Sequence, residues 1–253
     1  MKILLANPNT SDTMTSLMVD EARRHCRPDT EIDGLTADFG VPYIATRSEM
    51  AIASYALLDN LARHHQGYDA VVVGAFCHAL VPPAKELMPL PVVGIAEAGL
   101  RAAQIFGQRI AIIGIGTPDR GANEAIIAEL GMGQHIASIR RLPLSGTDLA
   151  EGQADAEAMV IEQVERAVEE DHADVLVFGG AAFAGIADQI ADRLSVPAIS
   201  PVPNAIALAE VAVKTGWRKP TKGSSSPPSP KETRGLGDDL ASFFKEPTTT
   251  GRS

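Results

Sequence analysis

Residues 69–80 read DAVVVGAFCHAL, and residues 174–183 read DVLVFGGAAF. Each begins with an aspartate, continues through four apolar residues and breaks at a glycine, which is the pattern of a buried strand running into a turn. The two stretches lie 105 positions apart, and the spacing recurs. Lys2-Ile3-Leu4 pairs with Arg109-Ile110-Ala111 at an offset of 107, and Pro91-Val92 pairs with Pro197-Ala198 at 106. Unrelated strand–helix units do not normally keep one spacing, so the chain reads as two similar lobes in tandem.

Working outward, short apolar runs alternate with amphipathic stretches. KILLAN precedes a helix over residues 11–25, EIDGLTA precedes one over 47–64, and DAVVVGAF and PVVGI lead to one over 97–106. The order repeats as RIAIIGI, a helix over 118–130, HIASIRRL, a helix over 154–170, DVLVFGG and VPAIS, with a last helix over 204–214. This alternation predicts an α/β fold with two four-stranded parallel sheets related by approximate twofold symmetry. Residues 1–96 with about 198–217 would form one lobe and 97–197 the other. Ligands of open parallel sheets bind beyond the carboxyl ends of the strands. The loops at 7–11, 74–80, 114–118 and 179–183 should therefore flank one cleft between the lobes.

From Arg218 onward the chain is rich in Pro, Ser, Thr and Lys, with seven basic residues against four acidic ones. That composition predicts an unpacked tail over 218–253, with residues 236–244 able to form one short docking helix. The whole chain of 253 residues is 45% apolar and carries a formal charge of −10, with aromatics at only 4%. Such a balance argues against a nucleic-acid surface and against base stacking. It points instead to a small-molecule substrate. No apolar run is long enough to span a membrane. Two cysteines, Cys26 in HCRPD and Cys77 in GAFCHAL, give no disulfide framework and suit a reducing cytoplasm.

The loop Asn7-Pro8-Asn9-Thr10-Ser11 joins a strand to a helix, where free backbone N–H groups can hold a carboxylate or amide oxygen. Asn9, Thr10 and Thr117, the last at the matching place in the second half, are the anchoring candidates. Gly114, Gly116 and Gly121 miss the dinucleotide-binding spacing, and neither a phosphate-binding loop nor a G-x-S-x-G elbow occurs. The six histidines lack metal-ligand spacing, so no metal is expected. Cys77 stands apart. It follows an apolar strand beside His78, where a thiol can serve as nucleophile or base.

NPNTSDTMT at residues 7–15 and PVVGIAEAGL at 91–100, taken with the repeat, resemble the aspartate/glutamate/hydantoin racemase superfamily, above all its hydantoin and allantoin racemase branch, over residues 1 to about 214. The resemblance implies two flavodoxin-like lobes, no cofactor, and two cysteines that exchange a proton at a stereocentre from opposite faces. It also allows a homo-oligomer. It places the two thiols at Ala75 and Gly180, neither of which can carry a proton. Cys77, two residues later, would face the same side as Ala75 if the strand continued. Its counterpart, Ala182, is inert. The expectation is then a substrate lined by Ala75, Phe76, Gly180 and Ala181, with Cys77 and His78 as the acid/base pair. Three activities stay open: a racemase of an amino acid or hydantoin-like ring, a single-thiol lyase, decarboxylase, isomerase or hydrolase, and a noncatalytic binder of a small carboxylate or cyclic imide.

Overall fold

A computed structural model describes residues 1–116, 122–144 and 156–245. Its first half runs β1 (Lys2–Asn7), α1 (Asp12–His25), β2 (Glu31–Thr36), α2 (Arg47–His64), β3 (Ala70–Val73), α3 (Val81–Leu87), β4 (Val92–Gly94) and α4 (Ile95–Phe106). The second half runs β5 (Ile110–Ile115), α5 (Ala122–Glu129), β6 (Ile136–Leu142), α6 (Ala156–Asp171), β7 (Val175–Phe178), α7 (Ile186–Ile190), β8 (Ala198–Ile199) and α8 (Pro201–Lys214). A final helix, α9, spans Asp238–Lys245.

Two four-stranded sheets result, ordered β2-β1-β3-β4 and β6-β5-β7-β8, with every pairing parallel. The central strands β1, β3, β5 and β7 are buried over nearly their whole length, as expected of parallel strands covered on both faces. The repeat is therefore structural, since β3 and β7 keep the 105-residue offset. The helices α4 and α8 begin earlier than their apolar periodicity suggests. Glu97 reaches back to accept from the Gly94 N–H at 3.1 Å, and Pro201 occupies the first turn of α8, where its fixed φ suits a helix start. Both helices cross between lobes. Ala96, Leu100 and Ala103 of α4 pack with Ile110, Ile112, Val175 and Val177 of the second sheet. Val202, Ala205, Ile206 and Ala209 of α8 return to Ile3, Leu5 and Val72 of the first.

A buried carboxylate also ties the lobes together. Glu21 of α1 accepts from the Gly185 N–H at 2.9 Å and from the Ser200 hydroxyl at 2.6 Å, and burial raises its pKa. On the surface nearby, His25 Nε2 lies 2.7 Å from Asp188 Oδ2.

Residues 220–235 are irregular and largely exposed, whereas Lys219 and the expected short docking helix pack on the first lobe. Lys219 is only 6% exposed and donates to the carbonyls of Lys85 and Glu86 at the end of α3. The helix α9 docks on α2, with Leu240 and Phe243 buried in the cluster that holds Leu57, Leu61 and Val71. A single i, i+3 apolar pair with its neighbours is enough to dock so short a helix. Residues 246–253 lie outside the described residues. Phe243→Ala is expected to cost about 3 kcal/mol, read as a lower urea midpoint at unchanged slope. An unchanged midpoint would contradict the packing of α9.

Candidate active site

The carboxyl ends of both sheets face one another across a cleft with a cavity volume of about 140 Å³. That is the order of volume that takes a single small ring. Its walls come from both lobes, and each wall follows from local sequence.

On the first lobe, β1 ends at Asn7, which is buried. The Asn7 amide donates to Asn9 Oδ1 at 2.9 Å, Thr15 Oγ1 at 2.9 Å and the Ser11 carbonyl at 3.1 Å. Asn9 Oδ1 in turn accepts from the Ser11 N–H at 2.9 Å. The side-chain oxygen of Asn9 is thus spent on the turn, and Asn9 lines the cleft. Thr10 does not line the cleft. Its N–H donates to Val41 O at 3.0 Å, so it braces the following loop. That loop brings Tyr43, Ile44 and Ala45 to the wall. It is pinned by a capping box in which Glu49 Oε2 accepts from the Ala45 and Thr46 N–H groups, both at 2.7 Å.

The strand β3 stops at Val73, and Gly74 permits the break, because a Cβ there would stand 2.9 Å from Met18 and 3.1 Å from Leu5. Ala75, Phe76 and Cys77 then line the cleft. The chain bends at Ala75 and Phe76 and is extended again at Cys77 (φ −146°, ψ 105°). The Cys77 side chain is 5% exposed. Burial pushes the Cys77 thiol above its ordinary range, with the nearby N–H groups of Ala79 and Leu80 pulling the other way. Alkylation of Cys77 by iodoacetamide should accordingly be slow at pH 7 and rise about tenfold per pH unit through pH 9, followed by peptide mass spectrometry. A plateau below pH 8 would contradict the neutral thiol.

His78 is not part of the wall. It opens a 3₁₀ turn, His78–Leu80, which carries its ring away from the alternation of the preceding residues. Its Nδ1 is buried without a hydrogen bond and lies 3.7 Å from Glu97 Oε2. Both oxygens of that carboxylate are taken by Lys85 Nζ, at 2.6 and 2.8 Å. The structure thus places the His78 ring against Glu97 and not among the residues that line the cleft with Cys77.

On the second lobe the wall comprises Gly114 and Ile115 at the end of β5, Gly116 just beyond it, and Gly179, Gly180, Ala181 and Ala182 after β7. Gly180 has φ 154°, a conformation that L side chains rarely adopt, and a Cβ on it would meet nothing within 4 Å. Thr117 lies outside the described residues. The strand β6 contributes Arg141, which sequence reasoning missed. The rule that singled out loops at strand ends applies equally to the second strand of each lobe, and it would have pointed to both Tyr43 and Arg141.

Among the described lining residues Cys77, Tyr43 and Arg141 are the ionisable ones. Burial is the main cause that raises the Tyr43 phenol, with the charge of Arg141 opposing it. No group of three or more His, Cys, Asp or Glu side chains among the described residues could hold a metal ion. No helix among them is long and apolar enough to cross a membrane.

Two parallel α/β lobes closing on a small cleft, with a thiol at the end of a central strand, define a class that the family comparison identifies: the chain belongs to the Asp/Glu/hydantoin racemase family, whose pattern matches residues 3–209. Hydantoin racemases and allantoin racemases are among its relatives. It is 29% identical over 234 residues to a hydantoin racemase of Paenarthrobacter aurescens, covering 92% of this chain and 99% of the relative. Among solved structures it is similar to the allantoin racemase from Klebsiella pneumoniae, at 30% identity and TM-score 0.88 over 96% of this chain and 98% of that one. A second allantoin racemase, from Pseudomonas fluorescens, is 32% identical with TM-score 0.86, over 93% of this chain and all of the other.

Proposed function

We propose that the cleft moves a proton at a carbon next to a carbonyl, without a cofactor, and so racemises an amino acid or a cyclic derivative such as a hydantoin. The observation that carries this reading is the placement of Cys77, a buried neutral thiol at the end of a central strand, in a cleft sized for one small ring. The family relatives support proton transfer at a stereocentre, and the position of Cys77 supports a thiol as the carrier on one face. Asn9 and the backbone N–H groups of the flanking glycine-rich turns would hold the substrate's oxygens. Across the cleft, Gly180, Ala181 and Ala182 carry no exchangeable side-chain proton. That inert face favours a second reading, a one-thiol reaction such as decarboxylation, in which Cys77 protonates a carbanion from one side only.

Enantiopure alanine, 5-methylhydantoin and allantoin incubated with the protein in D2O separate these readings. Deuterium at the α-carbon with loss of optical activity is the result expected of a racemase. Loss of carbon dioxide from methylmalonate without exchange on the other substrates supports the one-thiol reading. Ligand binding without either reaction contradicts both and leaves a noncatalytic binder.

A further inference from the structure

Arg140 and Arg141 are consecutive residues of β6 and therefore project to opposite faces of their sheet. The first is fully engaged. Its Nε donates to Asp171 Oδ2 at 2.6 Å, and a terminal nitrogen donates to Glu170 Oε2 at 2.7 Å. Arg141 is the reverse case. Its side chain is 11% exposed and lines the cleft, yet its nearest carboxylate among the described residues is Glu124 Oε2 at 3.9 Å. That distance is outside hydrogen-bonding range. Glu124 itself is half exposed. A guanidinium offers five N–H donors in a planar fork that fits a carboxylate with two parallel bonds. Here that fork is largely withdrawn from water, and among the described residues no carboxylate lies within hydrogen-bond distance of it. Neither Asp nor Glu lines the cleft among the described residues, so its one formal charge is positive, inside a chain of net charge −10.

We infer that Arg141 is the substrate's carboxylate anchor, and that the cleft therefore selects a small carboxylate over a neutral ring. The inference rests on the cleft's being the substrate site and refines its substrate class. A carboxylate held by the fork fixes one end of the molecule. The carbon attached to it then lies between Arg141 on the second lobe and the Cys77 thiol on the first. Binding would bring negative charge to a guanidinium whose nearest carboxylate among the described residues is 3.9 Å away, so the desolvation of Arg141 already met in folding works in the ligand's favour. A neutral ring offers the fork only uncharged carbonyl oxygens, which accept weaker bonds than a carboxylate does.

The test uses the full chain as wild type, Arg141→Met and Arg141→Lys, each checked by circular dichroism. The probes are three small carboxylates (alanine, N-carbamoylalanine and methylmalonate) and the uncharged ring 5-methylhydantoin. Calorimetry gives the affinities, and α-carbon exchange in D2O is read in parallel. Wild type should bind at least one carboxylate more tightly than the ring. In Arg141→Met the carboxylate-to-ring affinity ratio should fall by about a hundredfold, as for a charge pair truncated on one side. Arg141→Lys, which keeps the charge and loses the fork, should recover part of that ratio. An unchanged ratio in folded Arg141→Met, wild-type preference for the ring, or failure of all three carboxylates to bind would each overturn the inference. Arginine-dependent binding without exchange would keep it and overturn the proton-transfer reading. Exchange on the ring that is indifferent to Arg141 would do the opposite.

Discussion

Replacing Cys77 by alanine is expected to lower α-carbon proton exchange about a thousandfold, or ~4 kcal/mol of transition-state stabilisation. Among the described lining residues, Cys77 supplies the one thiol, and neither Ala75 nor the facing Gly180 and Ala182 can take or give a proton. The change removes one sulfur atom from a site that is already closely packed, and Cys77 touches the first-lobe cluster of Leu80, Val81 and Ala84. A stability loss of only about 1 kcal/mol should accompany it, so the variant remains folded for assay. Substrate binding should persist, because Arg141 and Asn9 are untouched. A fall in kcat with little change in KM is the signature of a group that acts only in the transition state. Cys77→Ser, with a far less acidic hydroxyl, should be nearly as slow. Activity of Cys77→Ala within threefold of wild type would remove the thiol from the mechanism.

The second large effect is a gain. Family resemblance puts the thiol pair of a two-cysteine racemase at residues 75 and 180, and both positions line the cleft in the structure. Ala75→Cys with Gly180→Cys, in a Cys77→Ala background, is expected to restore exchange at least about a hundredfold over Cys77→Ala alone, measured by NMR in D2O. Residue 75 already carries a Cβ at the wall, so a cysteine there adds one sulfur atom. At Gly180 the space for a Cβ is open, but the φ of 154° imposes a strain of roughly 1–3 kcal/mol on any side chain. The single Gly180→Cys variant should therefore be measurably less stable than Ala75→Cys. No recovery in a folded triple variant would mean that the cleft does not present a substrate carbon between these two positions.

The fold was legible because it is written twice. The 105-residue return of an aspartate, four apolar residues and a glycine survives in β3 and β7 to the residue. The cleft was legible from the same repeat, since strand ends of parallel sheets can be read from where apolar runs break. What escaped was side-chain direction. His78 follows Cys77 directly, yet one 3₁₀ turn sends its ring toward Glu97 instead of the cleft. Arg140 and Arg141 are indistinguishable as residue types, and only the pleat of β6 decides which binds Asp171 and which lines the site. Lys219 escaped for a different reason. Its hydrogen bonds to the carbonyls of α3 depend on partners more than 130 positions away that local composition does not register.

A structure with N-carbamoylalanine or 5-methylhydantoin bound is the most direct test of the central claim. The account predicts Cys77 Sγ within about 3.5 Å of the α-carbon, the near-attack separation for proton transfer. A ligand seated in the cleft with Cys77 beyond reach of that carbon, and another ionisable side chain against it, would contradict the account.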